Sequence, residues 1–210
     1  MLPFWIGAAA LAWFGHPRWA VAAVVFGLLV LMFFRIPPRS YRGDPGNVIA
    51  AADGTVTRVD TIEDPLVGAG THQRVVTFLS PLDVHVQVVP VSGRVISSAL
   101  VRGKKVAAFR DDADRFNENH LSVIERENGD RVGVRQIVGA VARRIVCTLK
   151  PGQQVAQGQP MGLIKFGSRV DLILPAGYRI LVQQGQRMRN GETVIAEPAT
   201  AGVSAPSAGR

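Results

Sequence analysis

The chain has 210 residues, a formal net charge of +8, an isoelectric point near 10.7 and 47% hydrophobic residues. That length holds one domain of ordinary size plus an appendage. The basic balance favours an anionic partner, and because no aromatic-interleaved basic patch argues for nucleic acid, an anionic lipid surface leads. A lone cysteine, Cys147, excludes an internal disulfide. Its strand-like flanks, "RRIVCTLK", read as a half-buried thiol.

Two charge-free apolar runs open the chain, Leu2 to Phe14 and Trp19 to Phe34, separated by "GHPR". Each is short for a bilayer, since a sixteen-residue helix covers roughly 24 Å against a hydrocarbon core of about 30 Å. One tilted span or a shallow helical hairpin both fit, and the turn residues Gly15 and Pro17 favour the hairpin. A secretory signal is a poor match, because no basic residue precedes the first run and no small-residue cleavage site follows the second. Arg35, Arg39 and Arg42 come next and place the remainder on the cytoplasmic side of a cell membrane. Trp5, Trp13 and Trp19 suit interfacial positions. Residues 1–35 are thus expected to anchor the chain through membrane helices.

From residue 48 the texture changes. Short β-branched runs such as "GTVTRV", "QRVVTFL", "DVHVQVV", "GRVIS", "HLSVIER", "DLILP" and "YRILV" alternate with Gly/Pro/Asp turns, which predicts a mainly β domain over 36–197. "AAFRDDADRFNENH" reads as a polar loop and 198–210 as a disordered tail. A weak repeat joins "GQQVAQGQPMGLI" to "GQRMRNGETVIAE", with Gly152 and Gly185, Gln153 and Gln186, and Gly158 and Gly191 each 33 positions apart. Its glycines suit sharp turns. The pattern resembles the half-motifs of biotinyl/lipoyl-type barrels, so the expected fold is a barrel- or sandwich-like hybrid with duplicated half-motifs.

Four residue settings could carry chemistry. In "LIKFGSRVDLILP" a glycine and a hydroxyl interrupt two strand-like runs. An ordinary turn is one reading of Gly167-Ser168. The other is a backbone that reacts: the Ser168 hydroxyl attacks the Gly167 carbonyl carbon in an N-to-O acyl shift, aided by a glycine that tolerates the distorted backbone. β-Elimination of the ester leaves dehydroalanine, which tautomerises to an imine and hydrolyses to a pyruvoyl group. Such a terminal ketone forms a Schiff base with an amine and acts as an electron sink, as PLP does. In "DVHVQVV", strand alternation puts His85 and Gln87 opposite the valines; His85 is either solvated there or a general base. Asp53, in "AADGTV", is a turn aspartate or a carboxylate that orients a histidine. Arg169 and Asp171 form either a surface pair or a brace for the Gly-Ser turn. His72 and His120 read as structural or surface groups, and the four histidines, His16, His72, His85 and His120, lie far apart with no Cys/His cluster of metal-ligand spacing, so no metal is expected.

Taken together, the motifs resemble those of the short, archaeal-type phosphatidylserine decarboxylases over about residues 33–175. "FFRIPPR" looks like that family's segment after the membrane helices, "AADGTV" like its aspartate motif and "FLSPLDVHVQVVPVSG" like its histidine motif. "NENHLSVIERENGDRVGVRQIVGAVARRIVC" is similar to its central block and "GLIKFGSRVDLILP" to its processing site. Several motifs in order are far more specific than any one.

The resemblance implies a pyruvoyl-dependent carboxy-lyase that cuts itself between Gly167 and Ser168. The products would be a β chain, 1–167, and an α chain, 168–210, held as a heterodimer with scope for a higher oligomer. Ser168 would become the covalent pyruvoyl cofactor, and Asp53, His85 and Ser168 the self-processing triad. The substrate would be phosphatidylserine, met at a membrane, and the products phosphatidylethanolamine and carbon dioxide. One departure matters: longer family members carry a second histidine three residues on, where this chain has Val88. His85 matches the first, the one associated with decarboxylation, so either it serves both steps or another group acts in processing.

Two rivals belong to other classes. A non-enzymatic, membrane-anchored carrier or adaptor would use the barrel half-motifs alone, with Lys165 as the tempting lysine, but "LIKFG" lacks the hairpin-tip setting of a carrier lysine. A pyruvoyl decarboxylase of a soluble amino acid is at odds with the hydrophobic N-terminus.

Overall fold

The computed structural model describes residues 2–107, 113–140, 144–164 and 168–199. Gly167, Lys165 and the tail from residue 200, all singled out above, lie outside the described residues.

The chain divides into two compact units, Met1–Pro37 and Pro38–Arg210. The first is a pair of helices, α1 (Leu2–Trp13) and α2 (Pro17–Phe33). Gly15, at φ 77°, makes the reversal, and Pro17 opens α2 where its missing N–H costs nothing. The helices pack on each other, with the Phe4 and Phe26 rings 5.6 Å apart. Of the two anchoring readings, a span is not supported: no described helix is long and apolar enough to cross. At about 1.5 Å per residue the 17 residues of α2 fall short of the roughly 30 Å hydrocarbon core.

The second unit is mainly β, as expected. Its strands are β1 (Val48–Ile49), β2 (Gly54–Glu63), β3 (Thr71–Leu79), β4 (Val86–Val88), β5 (Gly93–Val101), β6 (Asn119–Glu125), β7 (Arg131–Val138), β8 (Ile145–Cys147), β9 (Gln154–Val155), β10 (Pro160–Ile164), β11 (Ser168–Pro175), β12 (Tyr178–Ile180), β13 (Arg187–Met188) and β14 (Val194–Pro198). Helix α3 (Ala113–Phe116) sits between β5 and β6. It corrects the reading of that stretch as loop throughout: a single helical turn ends where Asn117 donates both to the Val106 and to the Val138 carbonyls.

An eight-stranded antiparallel sheet runs β13-β2-β3-β11-β7-β6-β5-β9, flanked by three-stranded sheets β4-β10-β8 and β1-β14-β12. Bulges between Val56 and Arg58 and between Val95 and Ser97 bend the large sheet and help it curl. The main core lies inside that curl: Val56, Val75, Leu79, Val134, Val138, Val170, Leu172 and Leu174 from the large sheet meet Met161, Ile164 and Ile195 from the small ones. The duplicated segments adopt matching turns, with positive φ at Gly152, Gly158, Gly185 and Gly191. In both, the repeat's first glutamine side chain caps a backbone N–H three residues upstream: Gln153 at Lys150 and Gln186 at Gln183.

β11 is buried on both faces. By the two-residue period of a strand, Val170, Leu172 and Leu174 line the main core with Ser168, while Arg169, Asp171 and Ile173 face the other way. On that outer face the pair Arg169–Asp171 is not a surface pair. Asp171 has no exposed surface and takes two hydrogen bonds from Arg169, at 2.6 and 2.7 Å. Arg74 lies 3.6 Å from it and binds Asp60 and Asp114. Burial pushes the Asp171 carboxyl up, and the two guanidiniums pull against that. Asp171→Ala would strip Arg169 of its two short hydrogen bonds in a dry site, leaving Asp114 at 3.8 Å, and is expected to cost about 3–5 kcal/mol. Urea melts of the uncut chain check this; a loss under about 1 kcal/mol would mean Asp114 and Asp60 suffice.

Candidate active site

Ser168 is the first residue of the central strand β11 and has no exposed surface. Its neighbours in register are Leu79 on β3 and Val138 on β7, both apolar and buried. Its Oγ has no hydrogen-bond partner among the described residues. A buried hydroxyl without a partner costs free energy, so packing alone does not account for Ser168 at this point.

His85 lies at the edge of β4 and is 1% exposed. The solvated reading is therefore corrected: Val84, His85, Val86 and Gln87 are all buried, and Gln87 meets Gln136 of the large sheet. His85 Nδ1 is 2.8 Å from the Asp83 carbonyl, and the Gln87 side chain donates to the His85 carbonyl at 2.8 Å. Gln136 donates to the Gln87 side chain at 2.8 Å, and Gln136 is the register partner of Val170. The His85 segment is thereby tied to the strand beside β11. On its other side, Val86 pairs with Leu163, near the end of the strand that leads to the Gly-Ser step.

Asp53 is buried in the turn before β2. Gly54 has φ 148°, and a Cβ there would stand 2.2 Å from the Phe78 carbonyl oxygen, so the Asp-Gly turn requires its glycine. Arg39 binds both Asp53 oxygens, at 2.5 and 3.2 Å, and the Asn190 backbone N–H donates to it at 2.8 Å. The Asn190 side chain donates to the Val86 carbonyl at 2.6 Å. Asp53 thus reaches the histidine segment through Asn190, and its own hydrogen bonds go to Arg39 and Asn190 rather than to the imidazole. Arg39, which the sequence suggested as a flanking membrane cation, is instead a largely buried partner of this carboxylate.

Asp83 escaped the sequence reading. It is buried, accepts the Ser80 N–H at 2.7 Å and binds Arg187 at 2.6 Å. Burial would raise its carboxyl, but these bonds win and hold it below the usual range. The signal was present in "SPLD", a serine and an aspartate three apart around a proline, which is turn chemistry. Gln87, Gln136 and Asn190 carried none, because their roles depend on strands far apart in sequence.

The same inner face holds a second polar group. Ser98 Oγ is 2.8 Å from His120 Nε2 and 3.9 Å from Cys147 Sγ, and Ser122 Oγ is 3.5 Å from that sulfur. Burial alone would push the half-buried Cys147 thiol up, yet hydrogen bonds from His120, Ser122 and the Leu149 backbone lower it to about 7. Iodoacetamide alkylation of Cys147 is expected to rise with pH around a midpoint of about 7. His120→Ala should move that midpoint upward, and an unchanged profile would remove His120 as the cause. Among the described residues no group of His, Cys, Asp and Glu is arranged to hold a metal ion. His72 is buried against the Gly68 turn, away from Ser168.

By register Ser168, opposite Leu79, and Asp53, in the turn before the strand residue opposite Phe78, lie toward the same end of the large sheet, and a buried serine, imidazole and carboxylate are residue types that nucleophilic and acid–base chemistry uses. A family profile described as phosphatidylserine decarboxylase matches residues 26–196. A phosphatidylserine decarboxylase proenzyme of Saccharopolyspora erythraea is 45% identical over 205 residues, covering 95% of this chain and 87% of its own. One from Granulibacter bethesdensis is 44% identical over 201 residues, covering 93% and 82%, and one from Chlorobaculum parvum 39% over 181, covering 86% and 84%. The chain belongs to the phosphatidylserine decarboxylase family.

Proposed function

We propose that the chain is a proenzyme that severs itself at Gly167-Ser168 and then decarboxylates phosphatidylserine to phosphatidylethanolamine. The observation that carries this is the buried Ser168 hydroxyl at the head of β11, without a hydrogen-bond partner among the described residues and within the one Gly-Ser step in the chain.

Processing needs no outside reagent but water. Ser168 Oγ forms a bond to the Gly167 carbonyl carbon while the peptide C–N bond breaks. Base-assisted elimination expels the Gly167 carboxylate and leaves dehydroalanine. Water hydrolyses its imine tautomer, releasing ammonia and leaving a ketone. His85 is the base in this reading. Asp53 acts as a positioning residue, holding the Val86 carbonyl next to His85 through Asn190.

The site fits the product. Simple hydrolysis would leave a charged ammonium at a residue with no exposed surface, flanked by Leu79 and Val138, at a cost of several kcal/mol. A neutral pyruvoyl group at Ser168 avoids that charge. The chemistry it supplies is that of an electron sink for the substrate amine and its α-carbon. His85 would supply the proton that replaces the lost carboxylate.

The cut does not free the fragments. β11 belongs to the α chain, yet it pairs over eight residues with β3 and over six with β7, both in the β chain. The two chains stay one folded body because the new terminus heads a central strand. In this reading the helical pair dips into the cytoplasmic face of the cell membrane, and the 152–164 and 185–197 segments are duplicated lipoyl-type half-motifs.

Release of carbon dioxide from phosphatidylserine vesicles, with none from free serine, tests the substrate. Equal turnover of free serine would favour a soluble amino-acid decarboxylase, and no release with an uncut chain would favour the carrier reading.

A further inference from the structure

The end of the large sheet that carries Ser168 also carries an exposed apolar and basic lip. Register places it. Val101 pairs with Asn119, Asn119 with Ile137 and Ile137 with Arg169, so the tip of β5 lies in the cross-strand row next to that of Ser168. Beyond the tip, Lys104 bridges to Asn117, and Glu118 is bonded to both Lys104 and Val138, the register partner of Ser168. Three strand spacings separate β5 from β11, roughly 14 Å.

Burial falls away along β5. Val95 is fully buried, whereas Ala99, Leu100 and Val101 are all exposed, Leu100 at 48% and Val101 at 45%. Successive strand residues point to opposite faces, so exposure on both faces means the strand tip stands clear of the body. Phe116, at 51%, lies beside it with the Lys104 ammonium 5.9 Å from its ring. The stretch from Gly93 to Ala107 contains Arg94, Arg102, Lys104 and Lys105 and no acidic residue.

Resting on the reading of a lipid substrate, we infer that this lip, Leu100 to Lys105 with Phe116, docks on an anionic bilayer surface and sets the Ser168 end of the sheet against it. Apolar tips flanked by cations suit that occupant. The hydrocarbon enters the acyl boundary while ammonium and guanidinium groups meet lipid phosphates. Each cation near such a surface adds attraction that salt screens. An acidic protein or nucleic acid would satisfy the charge but would leave Leu100 and Val101 without apolar cover.

The test is amide exchange of residues 99–106 in the full chain, mixed with phosphatidylcholine vesicles that contain or lack phosphatidylglycerol. The anionic lipid chosen is not the substrate. Exchange is expected to slow about tenfold on the anionic vesicles only, and to recover in high salt. Leu100→Asp with Val101→Asp should abolish the slowing while self-cleavage proceeds unchanged, which separates this proposal from the catalytic one. Equal exchange on both vesicles would overturn it. So would protection by phosphatidylserine but not phosphatidylglycerol, since the lip would then touch substrate rather than a surface. Failure of the decarboxylase reading itself would show separately, as intact vesicle binding without carbon dioxide release.

Discussion

Ser168→Ala is expected to give one uncut chain of 22.6 kDa with no decarboxylase activity above background. The change removes one oxygen atom from a site where that oxygen bonds to nothing else among the described residues. Among the described residues no hydrogen bond is sacrificed and only one small atom's packing is lost, so the fold should hold, because a buried hydroxyl without a partner is a net cost. The circular dichroism spectrum should therefore match that of the self-cleaved wild type, whose strands stay paired, while gel and mass analysis of the variant show no fragments. Two fragments from this variant would remove Ser168 as the nucleophile.

His85→Ala should slow both stages, and the two must be read apart. Loss of a general acid–base group costs about 10²–10⁴-fold. Splitting is followed as the half-time for appearance of the two fragments. Turnover is then expressed per mole of split chain, so that slow maturation does not masquerade as slow catalysis. The account expects a loss of that order in the normalised turnover. A normalised rate within a few-fold of wild type would assign the proton to another group. The contrast with Asn190→Ala is informative, since Asn190 holds the Val86 carbonyl beside His85. Its removal should weaken catalysis less, with recovery in Asn190→Asp excluded because a carboxylate cannot donate to that carbonyl.

Much of this was legible in the chain because it rests on local patterns. The β-branched runs and Asp-Gly or Gly-Gln turns fixed the mainly β character, since strand period and positive-φ glycines are short-range signals. Ser168, Asp53 and His85 stood out for the same reason: each sits in a compact motif. Burial was not legible. Alternation placed His85 and Gln87 on the face away from the valines, and only the curl of the sheet, which brings Gln136 over Gln87, makes that face interior. Arg169 and Asp171 could be read as a surface pair or a brace for the Gly-Ser turn, and nothing near them in sequence announces Arg74, Asp60 and Asp114. The N-terminal runs were correctly helical, but apolar character alone does not give spanning length, and α1 and α2 end too soon for it. Asn190 as the link between Asp53 and the histidine segment joins residues more than a hundred positions apart, which no spacing rule reaches.

The central claim is that a peptide bond rearranges and leaves a ketone where a serine stood. Intact mass spectrometry of the purified chain, with and without borohydride, measures that directly. The account predicts two species meeting at residues 167 and 168, the smaller one blocked at its N-terminus and heavier after reduction by the addition of hydrogen to a carbonyl. A single unbroken chain, unchanged by borohydride yet still releasing carbon dioxide from phosphatidylserine, would contradict it.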